Sequence, residues 1–191
     1  MQTGYDLVVL AGGLARRMGG VDKLAVPVDG RSSLDRLLAA APDRTRVIAV
    51  GPTRRTARPV IWCREVPAGG GPLAAAAAAL PWTSAESVLV AAGDMPRLGE
   101  AFDRLVVALH ARPDADVAAL CDTDGVRQPL AAVYRRSALV RRLESIGDPA
   151  GRPARLLLDE MVVLDVTGGT ATGDCDTWTD IDRITEELRR A

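Results

Sequence analysis

Apolar residues follow two rhythms along this chain. Short unbroken runs at residues 5–11, 46–51, 59–63, 87–92, 116–121 and 162–166 are rich in Val, Ile and Leu and end in turn formers, which predicts strands. Longer stretches between them, at residues 33–41, 72–80, 100–112, 136–146, 154–161 and 178–190, carry helical patterning and borders. Such alternation favours a mostly parallel sheet with helices on both faces, a Rossmann-like three-layer α/β/α fold. Residues 127–135, with Tyr134 among them, are expected to return beside the sheet as an antiparallel strand. The alanine run at residues 74–79 predicts a helix that sits close to the sheet, because Ala is the best helix former and has the smallest side chain that still has a Cβ.

Composition narrows the function classes. The 191 residues suit one α/β domain with a substantial core, and no linker divides them, so residues 1–191 are expected to form a single domain. The chain is 48% hydrophobic but only 3% aromatic, so Ala, Val, Leu and Ile must build the core. A net charge of −1 offers nucleic acid or an anionic membrane no general attraction. No apolar run approaches a membrane span and no leader pattern is seen, so a cytoplasmic protein without nucleic-acid or membrane partners is expected. Cys63, Cys121 and Cys175 lack metal or disulfide spacing and read as small apolar fillers. The single histidine, His110, is expected near a helix end, as a cap or in solvent.

Candidate chemistry begins where the first strand runs into Gly12-Gly13-Leu14-Ala15-Arg16-Arg17-Met18-Gly19-Gly20-Val21-Asp22-Lys23. Glycines let backbone amides approach a ligand closely, and Arg16, Arg17 and Lys23 surround them with positive charge, which suits phosphates. The loop is neither a P-loop, since Leu24 follows Lys23, nor a G-x-G-x-x-G turn. An ordinary βα turn with solvated arginines is the competing account.

A second element is Asp94, at the end of the run 87–92 and followed by Met95-Pro96. Ligands of open parallel sheets lie beyond the carboxyl ends of strands, which would direct Asp94 and the glycine loop to one crevice. A carboxylate facing phosphates needs an intervening cation, so Asp94 implies Mg²⁺. Its alternative is an N-cap for the helix near Glu100. Asp174 and Asp176 alternate, so both fall on one side of an extended segment, and one of them can reach the metal; Asp176 or Thr177 also suits the N-cap of the last helix. Glu65 and the glycines at 69–71 precede Pro72-Leu73 and can expose main-chain groups to a base edge, or act as a hinge.

Taken in order, these blocks resemble the molybdenum cofactor guanylyltransferases. The resemblance runs from Leu10-Ala11-Gly12-Gly13 and Arg17-Met18 to Lys23, through Gly71-Pro72-Leu73 and Gly93-Asp94-Met95-Pro96, to Gln128-Pro129-Leu130 and Asp174-Cys175-Asp176-Thr177. It implies the fold of nucleotide-diphospho-sugar transferases and transfer of GMP from GTP to the terminal phosphate of molybdopterin, with Mg²⁺ and release of pyrophosphate. By position it implies that Leu10, Ala11, Gly12 and Gly13 contact the nucleotide, as do Glu65, Gly71, Pro72 and Leu73. Arg17, Lys23 and Asp94 become the catalytic set, Lys23 and Asp94 touching the nucleotide as well, and Asp94 with Asp176 the metal ligands. Ala11-Gly12-Gly13 and Gly71-Pro72-Leu73 point to guanine over cytosine. An accessory GTP-binding protein and apo-molybdoenzymes are the implied partners, and Arg127, Gln128 and Arg152 are candidate pterin contacts. Departures from the family pattern are Glu65 in place of Asp, Ala75 in place of Gly, and Trp178 at a usual proline. The rival readings are a cytidylyltransferase or sugar-phosphate nucleotidyltransferase of this fold, and a nucleotide sensor without catalysis.

Overall fold

In the computed structural model, which describes residues 4–12 and 21–190, the first apolar run forms β1 (Tyr5–Leu10), buried along its whole length. There follow β2 (Pro27–Val28) and β3 (Arg31–Ser32), α1 (Ser33–Ala40), β4 (Val47–Val50), β5 (Ile61–Cys63) and α2 (Gly71–Ala79). Next come β6 (Ser87–Ala92), α3 (Phe102–Ala111), β7 (Val117–Cys121), β8 (Arg127–Arg135), α4 (Arg136–Ile146), β9 (Val163–Thr167) and α5 (Trp178–Arg190). Seven strands make one sheet in the order β5-β4-β1-β6-β8-β7-β9. Among the described strands of this sheet only β8 runs against the others, pairing antiparallel with β6 and β7.

Alternation along each strand divides the core in two. Leu7 and Val9 face one side with Leu89 and Ala91, where α1 and α3 cover them with Leu34, Leu37, Phe102 and Leu105. Val8 and Leu10 face the other with Ile48, Val50 and Val90, under Leu73, Ala76 and Ala79 of α2 and Leu139 and Leu143 of α4. Both faces being dry explains why the strands read as continuous apolar runs. Most of the alanine run lies against the sheet, with Ala74, Ala75, Ala76 and Ala79 all buried. A third, small cluster joins Val28 to Cys175, Ile181 and Ile184, fastening α5 to the β2–β3 hairpin. No helix among the described residues is long and apolar enough to cross a membrane.

Two expectations need correction. The helix expected at residues 154–161 is only a 3-10 turn, Ala154–Leu157. Its amides bond three residues back, the Arg142 guanidinium takes the Leu156 carbonyl at 2.7 Å, and Glu160 has a positive φ, so an α-helical ladder cannot continue. His110 neither caps nor stands in solvent. Its Nδ1 donates to the Val106 carbonyl at 2.7 Å and Nε2 lies 3.5 Å from the Ser87 hydroxyl, so the ring bridges α3 to β6.

Candidate active site at the carboxyl ends of the central strands

Register brings three strand ends level. Leu10 pairs with Val50 on one side and Ala92 on the other, so Ala11, Gly51 and Gly93 leave the sheet side by side. Chain order reverses here, since β1 is followed leftward by β4 and β5 while β6 lies to its right, and such a switch opens a crevice. The strand ends approach so closely that side chains are excluded. A Cβ on Gly51, whose φ is +148°, would lie 2.5 Å from the Ala11 carbonyl oxygen, and one on Gly93 would lie 2.7 Å from the Leu10 oxygen.

Beyond Gly93, the Asp94 carboxylate meets the Lys23 ammonium, and Lys23 also donates to Asp176 Oδ1 at 2.8 Å. These residues come from three separate stretches of chain. Asp94 is carried by the end of β6, and its main-chain oxygen accepts the Cys175 amide at 2.9 Å, which pins the segment bearing Asp174 and Asp176 against it. Thr177 closes that segment by capping α5, its hydroxyl accepting the Asp180 amide at 3.2 Å while Asp180 takes the Thr177 amide at 2.9 Å. Thr177 is thus the cap and Asp176 is left to face Lys23. Asp94 caps nothing, because the 3-10 turn leading into α3 starts after Arg97.

The electrostatics follow from this crowding. Burial disfavours the charged form of Lys23, but the hydrogen bonds it donates to Asp176 and Asp94 outweigh it and raise its pKa above the ordinary lysine value. Burial first, then the charges of Asp176 and Asp94, push Asp174 upward as well. Burial drives the Cys175 thiol up to about 12, which keeps it protonated and inert. Three carboxylates therefore share the field of one described ammonium. Among the described residues no group of three or more His, Cys, Asp or Glu could hold a metal by itself. Asp94 and Asp176 nevertheless converge on one cation with hard oxygen donors, and that donor set fits an ion such as Mg²⁺, which takes one or two carboxylates and completes its shell from water and phosphate.

A cavity of about 680 Å³ opens beside this cluster, lined by Leu10, Gly12, Lys23, Glu65, Gly71, Pro72 and Asp94, with Pro52, Arg64 and Leu130 also in its wall. Glu65 accepts the Gly69 amide at 2.9 Å, so the glycine segment is a hydrogen-bonded turn more than a free hinge. Leu73 and Ala11 are fully buried behind the wall. Gly13 and Arg17 lie outside the described residues. Arg127 is paired with Asp165 at 2.7 Å, Gln128 with Asp122 at 2.9 Å, and Arg152 with the Ile146 carbonyl at 2.8 Å. Sequence reasoning missed Arg54, which binds Asp22 and the Ala11 carbonyl; its position just after a strand-ending Gly-Pro was the available signal.

A model of the MobA-like NTP transferase domain matches residues 7–162. The chain belongs to this family. Curated relatives within it include the molybdenum cofactor guanylyltransferase of Mesorhizobium japonicum, 35% identical over 66% of this chain and 65% of its own length. The guanylyltransferase of Shewanella sp. strain ANA-3 is 32% identical over 72% of each chain. Among solved structures, molybdopterin-guanine dinucleotide biosynthesis protein A from Archaeoglobus fulgidus superposes over 97% of this chain and all of its own, with a TM-score of 0.72 at 22% identity. The 2-C-methyl-D-erythritol 4-phosphate cytidylyltransferase of Thermus thermophilus gives 0.70 at 20% identity, over 98% and 100% of the two chains. Rv0371C of Mycobacterium tuberculosis in complex with manganese gives 0.66 at 18%, over 96% and 99%.

Proposed function

We propose that the protein is a single-domain nucleotidyltransferase that moves GMP from GTP to the terminal phosphate of molybdopterin, releasing pyrophosphate. One observation carries the reading in a chain of this family: Lys23 from the glycine loop and the carboxylates Asp94 and Asp176 face each other at the rim of one cavity. The names of its relatives in Mesorhizobium and Shewanella supply the guanine nucleotide and the molybdenum cofactor.

The attacking group is a phosphate monoester, already mostly dianionic at neutral pH because its second pKa is about 6. No general base is needed, which suits a site whose protein chain holds a single histidine, itself engaged between α3 and β6. An acceptor oxygen forms a bond to the α-phosphorus as the bond to the β-phosphate bridging oxygen breaks, and pyrophosphate leaves with that electron pair. The obstacle is repulsion between anions. Lys23, held fully protonated, offsets charge on the triphosphate, assisted by Arg17 and by the main-chain amides of Gly12 and Gly13, beside Leu10 and Ala11 at the strand end. Glu65, Gly71 and Pro72 bound the opposite wall, backed by the buried Leu73, and the base would be read there. Asp94 and Asp176 would hold Mg²⁺, which supplies charge neutralisation at the phosphates. Manganese in the Rv0371C structure is consistent with a divalent ion at such a site.

Incubation with GTP, Mg²⁺ and molybdopterin, followed by detection of the dinucleotide and pyrophosphate, tests the reading. GTP is expected to outperform CTP and UTP. Preference for CTP would transfer the chain to the cytidylyl side of this fold, which the Thermus thermophilus enzyme represents.

A further inference from the structure

Arg54 belongs to none of the sequence motifs, yet its side chain is only 14% exposed and its guanidinium joins three parts of the cavity rim. Nε and Nη2 bind both oxygens of Asp22, at 2.5 and 2.9 Å. Nη1 donates to the Ala11 carbonyl at 2.7 Å and to the Pro52 carbonyl at 3.0 Å. Ala11 and Gly12 are the last described residues before the segment 13–20, and Val21 and Asp22 the first after it. The clamp therefore joins Ala11, described before that segment, to Asp22, described after it. Asp22 passes the constraint on: its Oδ1 also accepts the Leu24 amide at 3.3 Å, and the Ala25 amide bonds the Asp22 carbonyl at 2.9 Å. Lys23 sits in the middle of this Asx turn, so its backbone direction is set by a carboxylate that Arg54 holds.

We propose that Arg54 is a positioning residue for the phosphate end of the nucleotide, holding the two ends of the glycine-rich segment at a fixed span and keeping Lys23 aimed at Asp94 and Asp176. The inference rests on the nucleotidyl transfer proposed above. Arginine suits the task because a planar fork can grip a carboxylate with two bonds while a third nitrogen reaches carbonyls, a geometry that a lysine ammonium lacks. Arg58 provides a contrast within the same chain. It binds five main-chain carbonyls, of Leu38, Ala41, Pro42, Asp43 and Thr45, at the amino end of β4, away from the cavity. Arg58 staples the fold, whereas Arg54 ties together the groups that meet the triphosphate.

The test compares Arg54→Ala, Arg54→Lys, Asp22→Ala and the Arg54→Ala/Asp22→Ala pair with Arg58→Ala, by calorimetric titration with GTP, inorganic pyrophosphate and guanosine, and by steady-state kinetics. Arg54→Ala is expected to weaken GTP and pyrophosphate roughly tenfold or more while guanosine changes less than about twofold, and to lower kcat/KM by about 10²-fold, the scale of an ångström of misplacement. Asp22→Ala should match it, and the double variant should be no worse than the larger single loss, because the two residues act as one unit. Lysine at position 54 should fail to rescue. Arg58→Ala should lower the urea midpoint and leave the ratio of the three affinities intact. Equal weakening of GTP and guanosine, additive losses, or unimpaired Arg54→Ala would overturn the proposal. If Arg54→Ala does not fold, Arg54→Lys and Asp22→Ala carry the same comparison. A wild type that binds GTP and pyrophosphate but makes no dinucleotide refutes the transfer reading and leaves the affinity comparison standing.

Discussion

The Asp94 main-chain oxygen accepts a hydrogen bond from the Cys175 amide at 2.9 Å. This bond delivers Asp176 to the Lys23 ammonium that Asp94 also holds, so the two carboxylates are placed by backbone as well as by side chain. Lys23→Ala and Asp94→Asn are each expected to lower turnover by at least about 10²-fold, the effect of removing one charge stabiliser. Circular dichroism should be unchanged. Near-normal turnover in either variant refutes the assigned roles.

Removing Lys23 also uncovers the negative charge of Asp94, Asp174 and Asp176. In nucleotide-free protein, Lys23→Ala is therefore expected to bind Mn²⁺ more tightly than wild type, by roughly tenfold, about 1.4 kcal/mol at a partly exposed ion pair. Electron paramagnetic resonance titration of free Mn²⁺ reads this without turnover. Weaker Mn²⁺ binding in the variant would show that Lys23 helps to assemble the ion site instead of competing for it.

The Arg54 hydrogen bond holds the Asp22 carboxyl below the usual carboxylate value of 3.8, against the opposing effect of burial. A depressed folded-state pKa adds stability above the unfolded value, and that stability is lost as pH falls through the folded value. Asp22→Asn should thus be less stable than wild type at pH 7, and the gap should close as pH drops below 3.8. Urea midpoints at a series of pH values measure it. A gap independent of pH would mean that the pair contributes packing and no charge.

Gly51→Ala forces a methyl group against the Ala11 carbonyl in a backbone region that L residues avoid. The expected cost exceeds about 1 kcal/mol. Because Ala11 adjoins the glycine loop, GTP affinity should fall together with the urea midpoint. Gly12→Ala, whose Cβ would find the Val50 oxygen at a comfortable 3.7 Å, should leave stability nearly unchanged while disturbing nucleotide binding.

Thr177→Ala removes the cap of α5 and should cost about 1 kcal/mol. For a chain of this size that corresponds to a melting temperature roughly 2–4 °C lower. Since Thr177 follows Asp176 directly, the divalent-ion concentration needed for half-maximal rate should rise. An unchanged metal requirement alongside the lower melting temperature would separate the cap from the site.

Much of this arrangement is readable from residue order because it depends on short-range rules. Buried apolar runs announce β1, β4, β6 and β7, and the tendency of ligands to gather at strand carboxyl ends brings Lys23 and Asp94 to one crevice before any coordinates are known. What escaped depends on other physics. The β2–β3 hairpin carries a legible Asp29-Gly30 turn, with positive φ at both positions, but its strands are too short to announce themselves. Residues 154–161 read as a helix because Leu and Arg are good helix formers, while the carbonyl captured by Arg142 is a tertiary contact that no local pattern encodes. The Arg54–Asp22 clamp escapes for a similar reason: the Gly51-Pro52 turn marks Arg54, but no local pattern pairs it with Asp22.

The order in which the pieces come along the chain has a consequence for biosynthesis. All seven strands of the main sheet are complete by Thr167, whereas Asp176 arrives later with α5, moored by the small patch of Val28, Cys175, Ile181 and Ile184. A nascent polypeptide can therefore bury its large hydrophobic layers while one of the two acidic groups is still inside the ribosome. Asp176 would then join Lys23 and Asp94 only when α5 and the segment before it dock onto strands already in place.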